Sequence, residues 1–134
     1  PIVEVRIARM GTYTRKMKWS DAALPIEEAR FGPRAKERIQ TQALRAFQVL
    51  GLRDYARFDI RLAPDGTPFF LEANARPSIE DGTELRLAAE LDGLALEDLV
   101  AVIIENAASR HGDPSLAARV RTARDGRKAR RGRR

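Results

Sequence analysis

Cysteine is absent from the 134-residue chain, and histidine occurs once, as His111. The lack of cysteine excludes disulfide bonds, a zinc-thiolate site and a thiol nucleophile. His111 lies beside Gly112 at the end of a helical pattern, so we expect it at a helix end or on the surface rather than in catalysis. No apolar run approaches the ~18 residues that a membrane span needs, and no signal-peptide pattern is present. We expect a cytoplasmic protein without membrane contact.

Aromatic residues are also scarce, at 6% of the chain, which is few for a surface that stacks nucleic-acid bases. Basic residues exceed acidic ones by 25 to 19, but the excess is local. Residues 121–134 contain 8 basic residues and 1 acidic residue, whereas residues 1–120 contain 17 and 18. We therefore expect a folded domain over 1–118 and a basic, disordered tail over 119–134. Nucleic acid would be bound only through this tail.

The spacing of apolar residues predicts both strands and helices. Alternation predicts strands at 2–9 and 13–19, and the polar, proline-containing stretch 20–32 predicts a loop. Helical spacing predicts helices over residues 33–50 and 83–91 and a third that starts at 96, with glycines at 51 and 93 ending the first two. These elements predict an α+β fold, an antiparallel sheet with packed helices.

Two segments rich in aromatic and β-branched residues, 55–62 and 67–73, flank the dipeptide Asp65-Gly66. This dipeptide is typical of a two-residue type I′ turn, so the two segments are predicted to form a β-hairpin. The turn also predicts the register, which pairs Arg57 with Asn74, Phe58 with Ala73, Asp59 with Glu72, Ile60 with Leu71, Arg61 with Phe70, and Leu62 with Phe69. One face is then apolar, and we expect it to pack against helices.

On the other face, the register brings the carboxylates of Asp59 and Glu72 directly opposite each other. Like charges in facing positions destabilise a sheet, so something should offset the repulsion. A hard cation such as Mg²⁺ or Mn²⁺ would do so, because Asp, Glu and Asn74 supply the oxygen ligands it prefers, and Arg57 could then bind a phosphate. Alternatively, Arg57 and Arg61 simply neutralise the two acids on an exposed face.

The motif around the hairpin resembles a known family. The run Arg57-Phe-Asp59, the Asp65-Gly66 turn and the segment Phe-Phe-Leu-Glu72-Ala-Asn74 are similar to the C-terminal motif of the ATP-grasp superfamily, and most similar to its D-alanine:D-alanine ligase group. The step from Asp59 to Glu72, followed by Glu-x-Asn, matches that group's metal motif without a gap. The flanking helices also match, and the resemblance covers roughly residues 1–108.

The resemblance implies an ATP-dependent carboxylate-amine ligase that works through an acyl phosphate. This chain would supply its magnesium-binding C-terminal portion, with Asp59, Glu72 and Asn74 as ligands of the Mg²⁺ or Mn²⁺ that bridges the ATP phosphates. Arg57 would contact the transferring phosphoryl group as a catalytic residue. Lys18 resembles a lysine that reaches the ATP phosphates, and its alternative role is that of an ordinary exposed lysine.

The same resemblance implies a place in peptidoglycan biosynthesis, carboxylate and amine substrates such as amino acids, and a homodimer as one option. Residues 75–81 depart from the group's pattern, because Arg76 and Ser78 stand where small residues and then Pro-Gly are usual. This departure leaves the acceptor open.

The chain begins inside a strand-like pattern at Pro1, so we expect it to be a piece of a longer protein that does not catalyse alone. Two alternatives to a ligase stay open: a polyanion-binding module that uses the arginine-rich tail, and an inactive scaffold of ATP-grasp shape.

Overall fold

A computed structural model describes residues 2–5 and 25–132. That part of the chain contains two separate two-stranded antiparallel sheets, β1 with β2 and β3 with β4, and four helices. The elements are β1 (Val3–Val5), β2 (Ile26–Glu28), α1 (Pro33–Val49), β3 (Arg57–Leu62), β4 (Pro68–Asn74), α2 (Glu84–Leu91), α3 (Leu96–Arg110) and α4 (Pro114–Arg131). The predicted α+β class is confirmed.

Strand β2 lies inside the stretch 20–32 that was predicted to be a loop, and that prediction is wrong for three residues. Pairing with β1 makes it a strand: Val3 faces Glu28, and the N–H of Ala29 donates to the carbonyl of Ile2 at 3.0 Å. A three-residue strand is too short to show an alternation in the sequence. The expected strand at 13–19 and Lys18 lie outside the described residues.

Helix α1 begins and ends where the sequence predicts. Pro33 occupies its first turn, and Gly51 follows its last residues with a φ of +62°. The N–H of Leu52 donates to the carbonyl of Phe47, and that of Gly51 to Gln48, both at 3.0 Å, which is the Schellman pattern. A glycine is needed there because a left-handed φ is costly for a residue with a Cβ.

Helices α3 and α4 form an antiparallel hairpin. His111 is the exposed C-cap of α3, and Asp113 is the N-cap of α4, where its carboxylate accepts the N–H of Leu116 at 2.9 Å. Ala101 and Ala108 on α3 and Ala117 on α4 are buried, so the helices approach closely. His111 has the helix-end position that we expected.

The basic segment is helical as far as Arg131, and the prediction of a disordered tail is therefore wrong for 119–131. The composition of this segment predicted disorder because composition alone does not show which acidic side chains lie next to its arginines. Three arginines of α4 lie along the side that packs on α3. Arg121 and Arg124 bind Glu105 at 2.6 and 3.0 Å, and Arg127 lies 3.7 Å from the buried Asp98. These acids neutralise part of the charge that would otherwise oppose folding.

Candidate functional site: a charged hairpin face

The turn between β3 and β4 is not the predicted type I′ turn. Residues 63–67 connect the strands: Ala63 donates to the carbonyl of Thr67 at 2.9 Å, and Gly66 donates to that of Ala63 at 2.8 Å, which leaves three residues, 64–66, in the turn itself. Gly66 has a φ of +78°, whereas Asp65 does not adopt a positive φ. Pro64 explains the difference, because its φ near −65° favours the second position of an ordinary turn.

The longer turn shifts the hairpin register by one residue, and a β-bulge at Leu71 shifts it back. Next to the turn, the observed pairs are Leu62 with Pro68, Arg61 with Phe69, and Ile60 with Phe70, so the three pairs predicted there are wrong. Beyond the bulge, the pairs are Asp59 with Glu72, Phe58 with Ala73, and Arg57 with Asn74, as predicted. The two shifts cancel before the charged positions are reached.

The bulge also changes the composition of the apolar face. Phe70 lies there instead of Leu71, and its ring packs edge-to-face on Phe58 with the centroids 5.6 Å apart. The Leu71 side chain is 67% exposed, so its predicted packing against helices is wrong. The extra residue of a bulge has no partner across the strand pair.

Arg57 joins the acids of the hairpin face. Its Nε and Nη2 donate to the two carboxylate oxygens of Asp59 at 2.8 and 3.3 Å. Burial is the largest single influence on the pKa of Arg57 and lowers it, but the hydrogen bond and charge of Asp59, with the charges of Glu84 and Glu72, raise it overall. The guanidinium therefore stays charged. A paired Arg57 is also what the alternative predicts, in which arginines simply neutralise the acids of this face.

Glu84 is a third acid of this cluster, and the sequence reasoning missed it. Its Oε2 accepts Nη1 of Arg57 at 3.2 Å. Glu84 is the first residue of α2, an element that the hairpin pattern does not include. The only available signal in the sequence was an acid in the first turn of a predicted helix, which more commonly serves the helix dipole.

Asn74 and Glu72 complete the face. The side-chain oxygen of Asn74 accepts the N–H of Arg76 at 3.0 Å, which turns the chain away from the strand. Within residues 2–5 and 25–132, no group of three acidic or histidine side chains is arranged to hold a metal by itself. Two facing carboxylates and an amide oxygen still suit Mg²⁺, which usually takes one or two carboxylates and completes its shell with water and substrate phosphate.

Asp54 fixes the loop that leads into β3. Its φ is +64°, which is uncommon for a residue other than glycine. Both carboxylate oxygens accept hydrogen bonds from Arg110, the last residue of α3. This pair ties the end of α3 to a point three residues before Arg57, and it thereby helps to hold the start of the charged face.

Residues 2–105 match the family model described as D-ala D-ala ligase C-terminus. The chain belongs to this family. The match ends within α3, so α4 and the basic segment lie beyond the matched residues.

Several individual proteins named D-alanine--D-alanine ligase are similar to this chain. A D-alanine--D-alanine ligase of Nitrosomonas europaea is 32% identical over 106 residues, which are 78% of this chain and 34% of the relative. That of Aquifex aeolicus is 30% identical over 106 residues, 78% of this chain and 35% of the relative. That of Nitrosomonas eutropha is 41% identical over 68 residues, 51% of this chain and 22% of the relative.

The chain thus spans about a third or less of the length of these curated relatives. No solved structure matches it. In the described part of the chain, no helix is both long and apolar enough to cross a membrane.

Proposed function

We propose that this chain is the magnesium-binding C-terminal portion of an ATP-dependent carboxylate-amine ligase. The observation that supports this most directly is the pairing of Asp59 with Glu72 across the hairpin in a member of the D-ala D-ala ligase C-terminus family. A pair of facing carboxylates is unfavourable in a sheet unless a cation offsets it. Arg57 offsets part of this repulsion through its pair with Asp59, and Glu84 shares the same guanidinium.

In the proposed reaction, the substrate carboxylate attacks the γ-phosphorus of ATP and ADP leaves, which gives an acyl phosphate. An amine then attacks the acyl carbon, inorganic phosphate leaves, and an amide forms as the amine loses a proton. Asp59, Glu72 and Asn74 would hold Mg²⁺, which neutralises phosphate charge when it is bound. Arg57 would donate to the transferring phosphoryl oxygens, because phosphoryl transfer depends on positioning and electrostatics.

The relatives are named for D-alanine, and we propose amino acids as the substrate class. The loop after Asn74 carries Arg76 and Ser78 where the group usually has small residues and then Pro-Gly, so the proposal leaves the acceptor within this class open. The role of Lys18 at ATP, a homodimer, a cytoplasmic location and a place in peptidoglycan biosynthesis remain parts of this proposal.

The alternative of a polyanion-binding module has weaker support. Arg121, Arg124 and Arg127 lie against acids of α3, so this part of the basic charge is already paired inside the molecule. An inactive scaffold is less favoured because Asp59 faces Glu72 and Asn74 lies two residues further along the same strand, opposite Arg57.

Glu72→Gln in the full-length enzyme tests the ligase proposal. The substitution keeps the shape of the side chain and removes one charge from the metal ligands. With ATP, Mg²⁺ and D-alanine or other amino acids, we expect phosphate release to fall on the order of 100-fold and the magnesium requirement to rise.

Glu90→Gln is the matched control, because Glu90 is a carboxylate on α2 that binds Arg86 at 2.9 Å and is not among the proposed metal ligands. It should leave turnover unchanged, and melting curves should show both variants folded. Wild-type turnover in folded Glu72→Gln would contradict the metal site and the ligase assignment.

A further inference from the structure

Glu84 shares Arg57 with Asp59 but has no part in the proposed ligand set. A guanidinium has five N–H donors in a fixed fork, so it can serve two carboxylates at once. Here Nε and Nη2 are directed at Asp59, and Nη1 is directed at Glu84. The two acids therefore hold different edges of the same group.

The carboxylate of Asp59 would take part in two competing interactions, one with Arg57 and one with magnesium. Its two oxygens accept both donors of one Arg57 edge, and the proposed function requires the same carboxylate as a magnesium ligand. Once Asp59 turns to a cation, Nε and Nη2 of Arg57 lose these acceptors. If nothing else held it, the Arg57 side chain would then sample several rotamers, and its guanidinium would no longer be oriented toward the phosphoryl group.

The position of Glu84 is fixed by structure outside the β3–β4 hairpin. It begins helix α2, whose N-cap is Thr83, and the Thr83 hydroxyl lies 2.7 Å from the carbonyl of Glu80. Ala89 of the same helix is buried, and α2 packs on the sheet of β1 and β2. The side chains of Arg57 and Glu84 are 23% and 24% exposed. The Glu84 anchor therefore does not depend on the hairpin that carries Asp59.

We infer that Glu84 is a positioning residue, which anchors Arg57 through Nη1 so that Nε and Nη2 become donors to the phosphoryl oxygens when Asp59 releases them. This inference rests on the proposed function. A positioning residue differs from a third magnesium ligand, which would act on the cation. It also differs from a surface ion pair, which would affect stability alone.

A spectroscopic experiment tests the anchor without activity. In metal-free, full-length enzyme labelled with ¹⁵N-arginine, the Nε–H signal of Arg57 is identified by its loss in Arg57→Lys. Glu84→Gln should speed rotation of the Arg57 Nη groups by about tenfold, the loss expected for a charged hydrogen bond. Glu90→Gln, which removes a carboxylate from the same helix, should leave the Arg57 signals unchanged. Unchanged Arg57 signals in Glu84→Gln would overturn the anchor.

Kinetics test the consequence. Glu84→Gln should lower kcat by roughly tenfold to a hundredfold, with the KM for ATP and the magnesium requirement unchanged. Because both residues act through one guanidinium, Arg57→Lys with Glu84→Gln should be no slower than Arg57→Lys alone.

A raised magnesium requirement would make Glu84 a ligand instead, and multiplied losses in the double variant would show independent roles. Either result overturns the positioning role. If the wild-type enzyme releases no phosphate from ATP with any amino acid, the ligase proposal itself fails, and the positioning role fails with it even where the Arg57 signals respond to Glu84→Gln.

Discussion

Glu105 links the basic helix α4 to α3 through two ion pairs. Its carboxylate is 14% exposed and binds Arg121 and Arg124 at 2.6 and 3.0 Å. Glu105→Gln keeps the volume and removes the charge. Arg121 is 56% exposed, so its pair is screened and contributes little, while Arg124 is 20% exposed. We expect a loss of about 1.5 kcal/mol in the free energy of unfolding, mainly from the Arg124 bond.

This loss corresponds to a melting temperature lowered by about 6 °C for a domain of this size, at roughly 4 °C per kcal/mol. Thermal unfolding followed by circular dichroism measures it, and hydrogen exchange should show faster opening in α4 than in α1. Glu37→Gln, at an exposed position on α1, serves as the control and should shift melting by less than about 1 °C. If Glu105→Gln melts like the control and exchange in α4 is unchanged, the charges do not hold the helix, and our account of the folded tail is wrong.

Two further predictions concern stability. Ile39 is the most buried side chain of α1, at 4% exposure, so Ile39→Ala should cost about 2–4 kcal/mol in urea unfolding, and a cost below about 1 kcal/mol would refute its place in the core. The N–H of Leu116 and the Ser115 hydroxyl lower the pKa of Asp113 below its usual 3.8, so the charged cap stabilises the fold above that pH, and this stability is lost as the pH falls through the folded pKa. Melting of the wild type and Asp113→Asn should therefore differ near about pH 7 and become more alike as the pH falls through the folded pKa, and a gap that does not change with pH would contradict the assignment.

The sequence predicted the pairing of Asp59 with Glu72 correctly, although the turn type from which it was derived was wrong. The Asp65-Gly66 dipeptide marked the turn correctly, but Pro64 changed its type, and the pairs nearest to it are displaced. The pairing of Asp59 with Glu72 survives only because the bulge at Leu71 restores the register. Nothing in the local sequence marks that bulge, since Leu71 suits a regular strand equally well.

The ends of helix α1 depend on short-range chemistry, and the sequence by itself determined them. Pro33 and Gly51 bound α1 because a missing N–H and a left-handed φ have few other places in a chain. The family motif is equally local, since a fixed step between Asp59 and Glu72 can be read without coordinates.

Only the tertiary structure decided which charges meet. Glu84 reaches Arg57 from a helix 27 residues further along the chain, and Glu105 reaches two arginines across a helix hairpin. Such pairs depend on how elements pack, because a charge is stabilised by its neighbours in space and not by its neighbours in sequence. The basic segment folds for the same reason: its composition indicates repulsion, and the acids that offset this repulsion lie on another helix.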